Sequence, residues 1–177
     1  MLTLRPYQQA AITAIYGYFQ KNKGNPLVVI PTAGGKSLVM ASFIEGVLKA
    51  WPDQRILIVT HVRELIAQNH AEMIGLWPDA PAGIYSAGLG KREAQARILF
   101  AGIQSIHRRA AEIGHTDLVL IDEASQCDPA TAAAALARGR RAVVVGDPHQ
   151  LKHVCFLSRA RDQAAALHNE LSAAEQR

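Results

Sequence analysis

VVIPTAGGKSLVM, residues 28–40, is the stretch whose reading decides the fold. Its apolar lead-in, Leu27 to Ile30, reads as a buried strand. A glycine-bearing turn follows, then Lys36-Ser37, then an apolar helix from about Leu38. Strand, glycine loop and helix in that order frame a phosphate-binding loop. Backbone N–H groups from Ala33 through Gly34, Gly35 and Lys36 to Ser37 would curl around a phosphate at a helix N-terminus. There the unsatisfied donors and the helix dipole both favour negative charge. Lys36 would neutralise phosphate oxygens, and the Ser37 hydroxyl would ligate Mg²⁺. The strict spacing GxxxxGK[ST] fails at its first position, Ile30, while the GGKS core is intact. A GK[ST] after a strand also arises as a plain turn with a cap, so the loop alone leaves that alternative open.

A second motif weighs against it. In DLVLIDEASQ, residues 117–126, Leu118 to Ile121 form another continuous apolar strand, which ends in Asp122-Glu123. Adjacent carboxylates at the end of a buried strand are costly unless they serve a cation. Side chains alternate along a strand, so the two diverge and can take different tasks. Asp122 would hold Mg²⁺ through water, and Glu123 would orient and deprotonate an attacking water. The competing reading is a polar strand end facing solvent. Together the motifs point to ATP with Mg²⁺, in a pocket framed by Thr32 to Ser37, Asp122 and, farther along, Gln150.

The whole chain bounds the rest. Its 177 residues suffice for one α/β domain with a real core. A hydrophobic content of 49% with 19% charged residues excludes a disordered protein. The net charge of +4 permits nucleic-acid contact without demanding it. Two cysteines, Cys127 and Cys155, fit neither a zinc spacing nor a disulfide framework, and the expected compartment is a reducing cytoplasm. Arg5-Pro6-Tyr7-Gln8 interrupts any leader-like run, and no apolar stretch approaches the length of a membrane span. The histidines show no metal-ligand spacing.

Strand and helix signals alternate. Pro6, a favoured first-turn residue, opens a helix to about Gln20. Strands are expected at 27–30, 56–60, 82–85, 98–101, 118–122 and 142–146. Helices are expected at 36–50, 62–76, 103–113 and 131–137, with a short one near 91–96. Runs such as LVVI, ILIV, LVLI and AVVV are apolar on both faces, which marks a mostly parallel sheet covered on both sides. The fold class is therefore a three-layer α/β domain of the P-loop NTPase kind. Residues 1–158 form the domain, and 159–177 read as a polar C-terminal helix or tail with few apolar anchors, Leu167 and Leu171.

With both motifs placed, residues 2–117 resemble the first RecA-like domain of superfamily 2 nucleic-acid helicases, especially the RadD-type DNA-repair group. LRPYQ (4–8) is similar to the Q-motif region, PTAGGKS (31–37) to motif I, HVRELIAQNH (61–70) to motif Ia, and AGIQSI (101–106) to the segment after motif Ib. The resemblance implies that Gln8, supported by Arg5, reads the adenine edge. It also implies that Arg63 at the start of the Val62 helix, with Gln104 and Ser105, contacts the phosphate backbone of one DNA or RNA strand. From residue 118 to 161 the pattern changes. DEASQ followed by GDPHQL (146–151) resembles motifs II and III of superfamily 1 helicases, in which the Gln, here Gln150, senses the γ-phosphate. The two patterns meet near 115–117.

The resemblance implies a weak ATP hydrolase that contacts single-stranded or tailed DNA, with the second RecA-like domain that helicases use supplied in cis or in trans. The catalytic residues would be Lys36, Glu123 and Gln150. Two rivals stay open: a catalytically silent nucleotide- and nucleic-acid-binding module, and another P-loop phosphotransferase. Plainer readings also stand beside individual residues. Arg63-Glu64 is also a solvated pair, Gln104-Ser105 also a helix cap, and Lys91-Arg92 and Arg108-Arg109 also ordinary surface.

Overall fold

The computed structural model describes residues 4–31, 33–127 and 129–147. Seven strands form one sheet: β1 (Leu27–Val29), β2 (Ile56–Thr60), β3 (Ala82–Ser86), β4 (Lys91–Arg92), β5 (Ile98–Gly102), β6 (Thr116–Ile121) and β7 (Gly139–Gly146). Among the described residues five helices connect or flank them: α1 (Pro6–Lys21), α2 (Lys36–Ala50), α3 (Arg63–Leu76), α4 (Ile103–Ile113) and α5 (Pro129–Leu136). The spatial order is β1-β7-β6-β2-β5-β3-β4, and every pairing is parallel except β3 with β4.

The strand sequences explain the layering. β2 and β5 are buried at every position, so side chains of alternating parity feed two separate cores. On one face Ile56, Ile58, Ile98, Phe100, Leu118, Leu120, Val143 and Val145 pack against α1, α2 and α3. On the other, Leu57, Val59, Leu99, Val119 and Ile121 pack against Ile103, Ile106 and Ile113 of α4 and Ala132 and Ala135 of α5. Each fully buried aliphatic side chain contributes about 1.5–3 kcal/mol. The chain first steps one way across the sheet, β1 to β2 to β3, with α2 and α3 on the first face. It then returns, β5 to β6 to β7, with α4 and α5 on the second. Right-handed crossovers require that division.

One expected element is absent. The helix expected near 91–96 is instead the short strand β4, paired antiparallel with β3 through Tyr85–Arg92 and Ser86–Lys91. The hairpin turns through a 3₁₀ turn (Ala87–Leu89) and Gly90, whose φ of 66° lies in the left-handed region. Glu93 then continues the ladder: its N–H donates to Ile84 O, and its carboxylate accepts the Ile84 N–H at 2.6 Å. Residues 151–177, including the expected tail helix, lie outside the described residues. Among the described residues no helix is long and apolar enough to cross a membrane.

Candidate nucleotide and nucleic-acid sites

The polar residues singled out in the sequence gather at the carboxyl ends of the strands, where open α/β sheets hold their ligands. After β1 the chain makes the 30–36 loop. Ala33 (φ 62°) and Gly35 (φ 74°) both take left-handed backbone conformations. Such conformations cost energy for a non-glycine residue and concentrate at functional loops. Gly35 is required twice over, because a Cβ there would also collide with the Gln8 amide nitrogen. At Gly34 a Cβ would fall 2.8 Å from the Pro31 carbonyl oxygen. The loop opens directly into α2 at Lys36.

The amino end of α1 clamps this loop. Tyr7 OH and Gln8 Nε2 both donate to the Gly34 carbonyl, at 2.8 and 3.0 Å. Gln8 Oε1 accepts the Arg5 backbone N–H at 2.9 Å, which caps the helix. Gln8 is therefore 3% exposed with both ends of its amide engaged, while the Arg5 side chain is exposed. Gln8 thus shapes the 30–36 loop.

Across the loop stand the two carboxylates. Asp122, just past β6, is 4% exposed, and its N–H donates to Val59 O of β2 at 2.9 Å. Lys36 Nζ donates to Glu123 Oε1 at 2.5 Å and lies 3.9 Å from Asp122 Oδ1. Asn69 of α3 donates to Asp122 Oδ2 at 2.7 Å. Burial pushes the Asp122 carboxyl above its ordinary range. Lys36 and the Asn69 hydrogen bond pull it back, and Glu123 pushes it further up. Glu123 itself has a left-handed φ of 53°, which throws its side chain toward Lys36.

Several buried atoms here accept or donate no hydrogen bond: Asp122 Oδ1, Glu123 Oε2, Thr60 Oγ1 and Ser125 Oγ. Thr60 follows Val59, the register partner of the Ile121 that precedes Asp122. Buried polar groups are nearly always satisfied, and orphaned ones mark a place for a ligand. Thr32 and Gln150 lie outside the described residues.

A second polar region lies farther along the same edge. A cleft of about 530 Å³ is lined by Tyr85, Gly88, Arg92, Gln104, Ser105 and Arg109, among others. Ser105 Oγ accepts the Ala87 N–H at 3.1 Å, tying the first turn of α4 to the hairpin. Arg63 lies against Gly88, where a Cβ would meet its Cδ at 2.7 Å. Arg63 also pairs with Glu64 at 3.1 Å, as its sequence neighbour suggested. Gln104 is exposed. Of the three residues expected to meet nucleic acid, Gln104 and Ser105 thus line one cleft, which Arg63 borders through Gly88.

One residue of this cluster escaped the sequence reading. Asn69 shares the buried stripe of α3 with Ile66 and Met73. A polar residue on an apolar stripe is the signal that marks it.

Sheet order, glycine loop and strand-end acids define a RecA-like ATPase-type domain with the fold of helicase motor domains. The chain belongs to the family described as "Type III restriction enzyme, res subunit", whose model matches residues 1–136 and so runs past the junction near 115–117. It is 27% identical over 128 residues to "Putative ATP-dependent helicase IRC3" of Saccharomyces cerevisiae, covering 68% of this chain and 19% of that protein. Its fold is similar to the Sulfolobus solfataricus SWI2/SNF2 ATPase core in complex with dsDNA. The TM-score is 0.66 at 14% identity, covering 82% of this chain and 32% of that one. It is also similar to the Pyrococcus furiosus Hef helicase domain, with a TM-score of 0.62 at 18% identity, covering 96% and 36% of the two chains. The chain thus spans about a fifth of its curated relative and about a third of each of these structures.

Proposed function

We propose that this chain is the ATP-binding half of a DNA helicase or translocase motor, hydrolysing ATP with Mg²⁺ and contacting a DNA strand at the Arg63–Gln104–Ser105 cleft. The observation that carries the reading is the Lys36–Glu123–Asp122 cluster, partly buried around the buried Asp122 and set against the glycine loop. Its orphaned carboxylate oxygens and its loop without room for a Cβ fit a triphosphate and a divalent cation. Ser37 and Asp122 would hold the cation, which supplies charge neutralisation on the phosphates. Lys36 would exchange Glu123 for phosphate oxygens. The freed Glu123 would then take a proton from the attacking water.

Thr32, Ala33, Gly34 and Gly35 complete the cradle. Arg5 and Gln8 border it on the side where the adenine would lie, and Gln150 would sense the γ-phosphate. A second RecA-like domain would close the site and supply the cation that stabilises the transition state. The closer RadD-type and superfamily 1 likenesses, the division at 158/159, a place in DNA repair and a cytoplasmic location belong to the same reading. The names of the relatives, helicases and a DNA-bound ATPase core, favour DNA as the partner.

Calorimetry with ATP·Mg²⁺ tests it. Lys36→Ala should lose a charge-assisted phosphate contact worth about 1.5–3 kcal/mol, or roughly 10- to 150-fold in affinity. Equal affinity in the two proteins would overturn the reading.

A further inference from the structure

Asn69 stands in the middle of α3, buried between Ile66 and Met73. Steps of three and four put these side chains on one face of the helix, and Ile66 and Met73 belong to the first core. Asparagine is a weak helix former, and its amide is costly to bury unless it is hydrogen-bonded. An apolar residue would suit the stripe better, so the amide has a task outside the helix. Its partner is Asp122: Nδ2 donates to Oδ2 at 2.7 Å. An ionised carboxylate only accepts, which sets the amide with its nitrogen toward Asp122.

We infer that Asn69 is a positioning residue for the cation: it holds one oxygen of Asp122 so that the other faces the metal. The inference rests on the nucleotide reading above and adds the residue that aims its metal ligand. The two carboxylate oxygens have different surroundings. Oδ2 is tied to α3, whereas Oδ1 accepts no hydrogen bond and lies 3.9 Å from Nζ of Lys36, the residue that follows the glycine loop. The Asp122 backbone is already fixed, because its N–H donates to Val59 O. What remains free is the side chain, and the Asn69 bond sets the plane of its carboxylate. An outer partner of this kind orients a metal-ligating carboxylate and is worth about 10- to 100-fold in metal affinity. Lys36 does not take over the task, because the proposed exchange carries it from the carboxylates to phosphate oxygens. The Asn69 bond is to the other oxygen and survives that exchange.

Calorimetry of the full chain with a non-hydrolysable ATP analogue, once in Mg²⁺ and once in EDTA, tests the inference. The ratio of the two affinities equals the factor by which the protein strengthens the nucleotide's own hold on Mg²⁺, because the coupling is reciprocal. Asn69→Leu keeps the stripe filled and removes the donor. Its affinity in EDTA should match that of wild type, while the ratio should fall by about tenfold or more. An unchanged ratio overturns the inference and leaves the nucleotide reading standing. That result includes an affinity lost equally in EDTA and in Mg²⁺, which would make Asn69 a packing residue. A wild type that binds no analogue, or whose affinity is the same in both solutions, overturns the nucleotide reading and this inference with it. Thermal unfolding shows whether Asn69→Leu is folded. If it is not, Asn69→Ala, which crowds nothing, decides by the same ratio.

Discussion

At the loop end of the sheet, Asp122 is buried, Lys36 and Glu123 are partly buried against it, and carboxylate oxygens stay unsatisfied. At the hairpin end, Arg63 and Arg109 are exposed and each already has a carboxylate, Glu64 and Glu112. The difference teaches how far each site can be argued from its own residues. A buried charge without its full set of partners costs several kcal/mol, so the loop cluster needs a reason to exist. Exposed pairs contribute about 0–1 kcal/mol and persist without any function. The loop cluster is therefore the sharper candidate site, whereas the cleft is a permissive cationic rim.

The widest separation between the two regions should appear when the phosphate site is completed. Among the described residues, Lys36 is the cation that pairs with Asp122 and Glu123. A second RecA-like domain, fused or in trans, should raise ATP turnover by about 10³–10⁵, the range an added arginine finger supplies. The same addition should alter oligonucleotide affinity far less. Phosphate release measured with and without the added domain checks this. A rise below tenfold would mean that the pocket is complete as it stands, or silent.

Glu123→Gln should be the next largest effect. A general base contributes about 10²–10⁴ in rate, so turnover should fall within that range while ATP affinity holds or improves. Affinity has room to improve because the variant no longer competes with phosphate for Lys36. If affinity falls as far as turnover, Glu123 belongs to the metal or to the fold. Both readouts come from one protein, by single-turnover phosphate release and calorimetry.

At the hairpin end, Arg63→Ala and Gln104→Ala should weaken single-stranded DNA binding only a few-fold each. The contacts there are to phosphates and are shared among several groups. Removing the Arg63 charge should also lower the slope of log affinity against log salt by about 0.7, the value per phosphate contact on a single strand. Gln104→Ala should leave the slope alone. Fluorescence anisotropy over a salt series separates the two, and an unchanged slope in Arg63→Ala would take Arg63 out of the interface.

The contrast between the regions also governs what was legible in the sequence. LVLIDE announces itself because a parallel strand buried on both faces must be apolar throughout, so the first polar residue after it is conspicuous. LVVIPTAGGKS carries the same apolar run, but β1 departs from the expected buried strand, since Leu27 and Val29 leave one of its faces exposed. The sheet and the Lys36–Asp122–Glu123 cluster follow from those runs. The hairpin end obeys no such rule. KREAQA carries helix-forming residues, yet Gly90 turns the chain and the Glu93 carboxylate takes the Ile84 N–H, so tertiary pairing overrides propensity. Asn69 was missed because a lone polar residue in a helical stripe acquires meaning only when Asp122, on another element, comes to meet it.

The smallest expected effect lies at the cleft, where the Glu112 carboxylate is shared between a buried phenol and Arg109. Tyr85 is buried and its OH donates to the Glu112 carboxylate, which also takes Arg109. Burial first, then the Glu112 hydrogen bond and charge, pushes the Tyr85 phenol above its ordinary value. The Tyr85 hydrogen bond first, and then Arg109, holds the Glu112 carboxyl below its own. The signs follow by linkage. A lowered carboxyl contributes stability above its unfolded value, and that contribution is lost as pH falls through the folded one. A raised phenol contributes stability below its unfolded value, and that contribution is lost as pH rises through the folded one. Tyr85→Phe removes both couplings without emptying the core. The variant should melt a few degrees below wild type at neutral pH. The gap should narrow as the solution is acidified through the carboxylate range, because protonated Glu112 no longer favours the phenol over a plain ring. Thermal unfolding at a series of pH values reads this directly. ATP affinity of the variant should not change, since none of these groups reaches the Lys36 pocket. A gap that stays constant with pH would assign the loss to packing alone, and the cleft floor would then carry no charge coupling of the kind that defines the loop end.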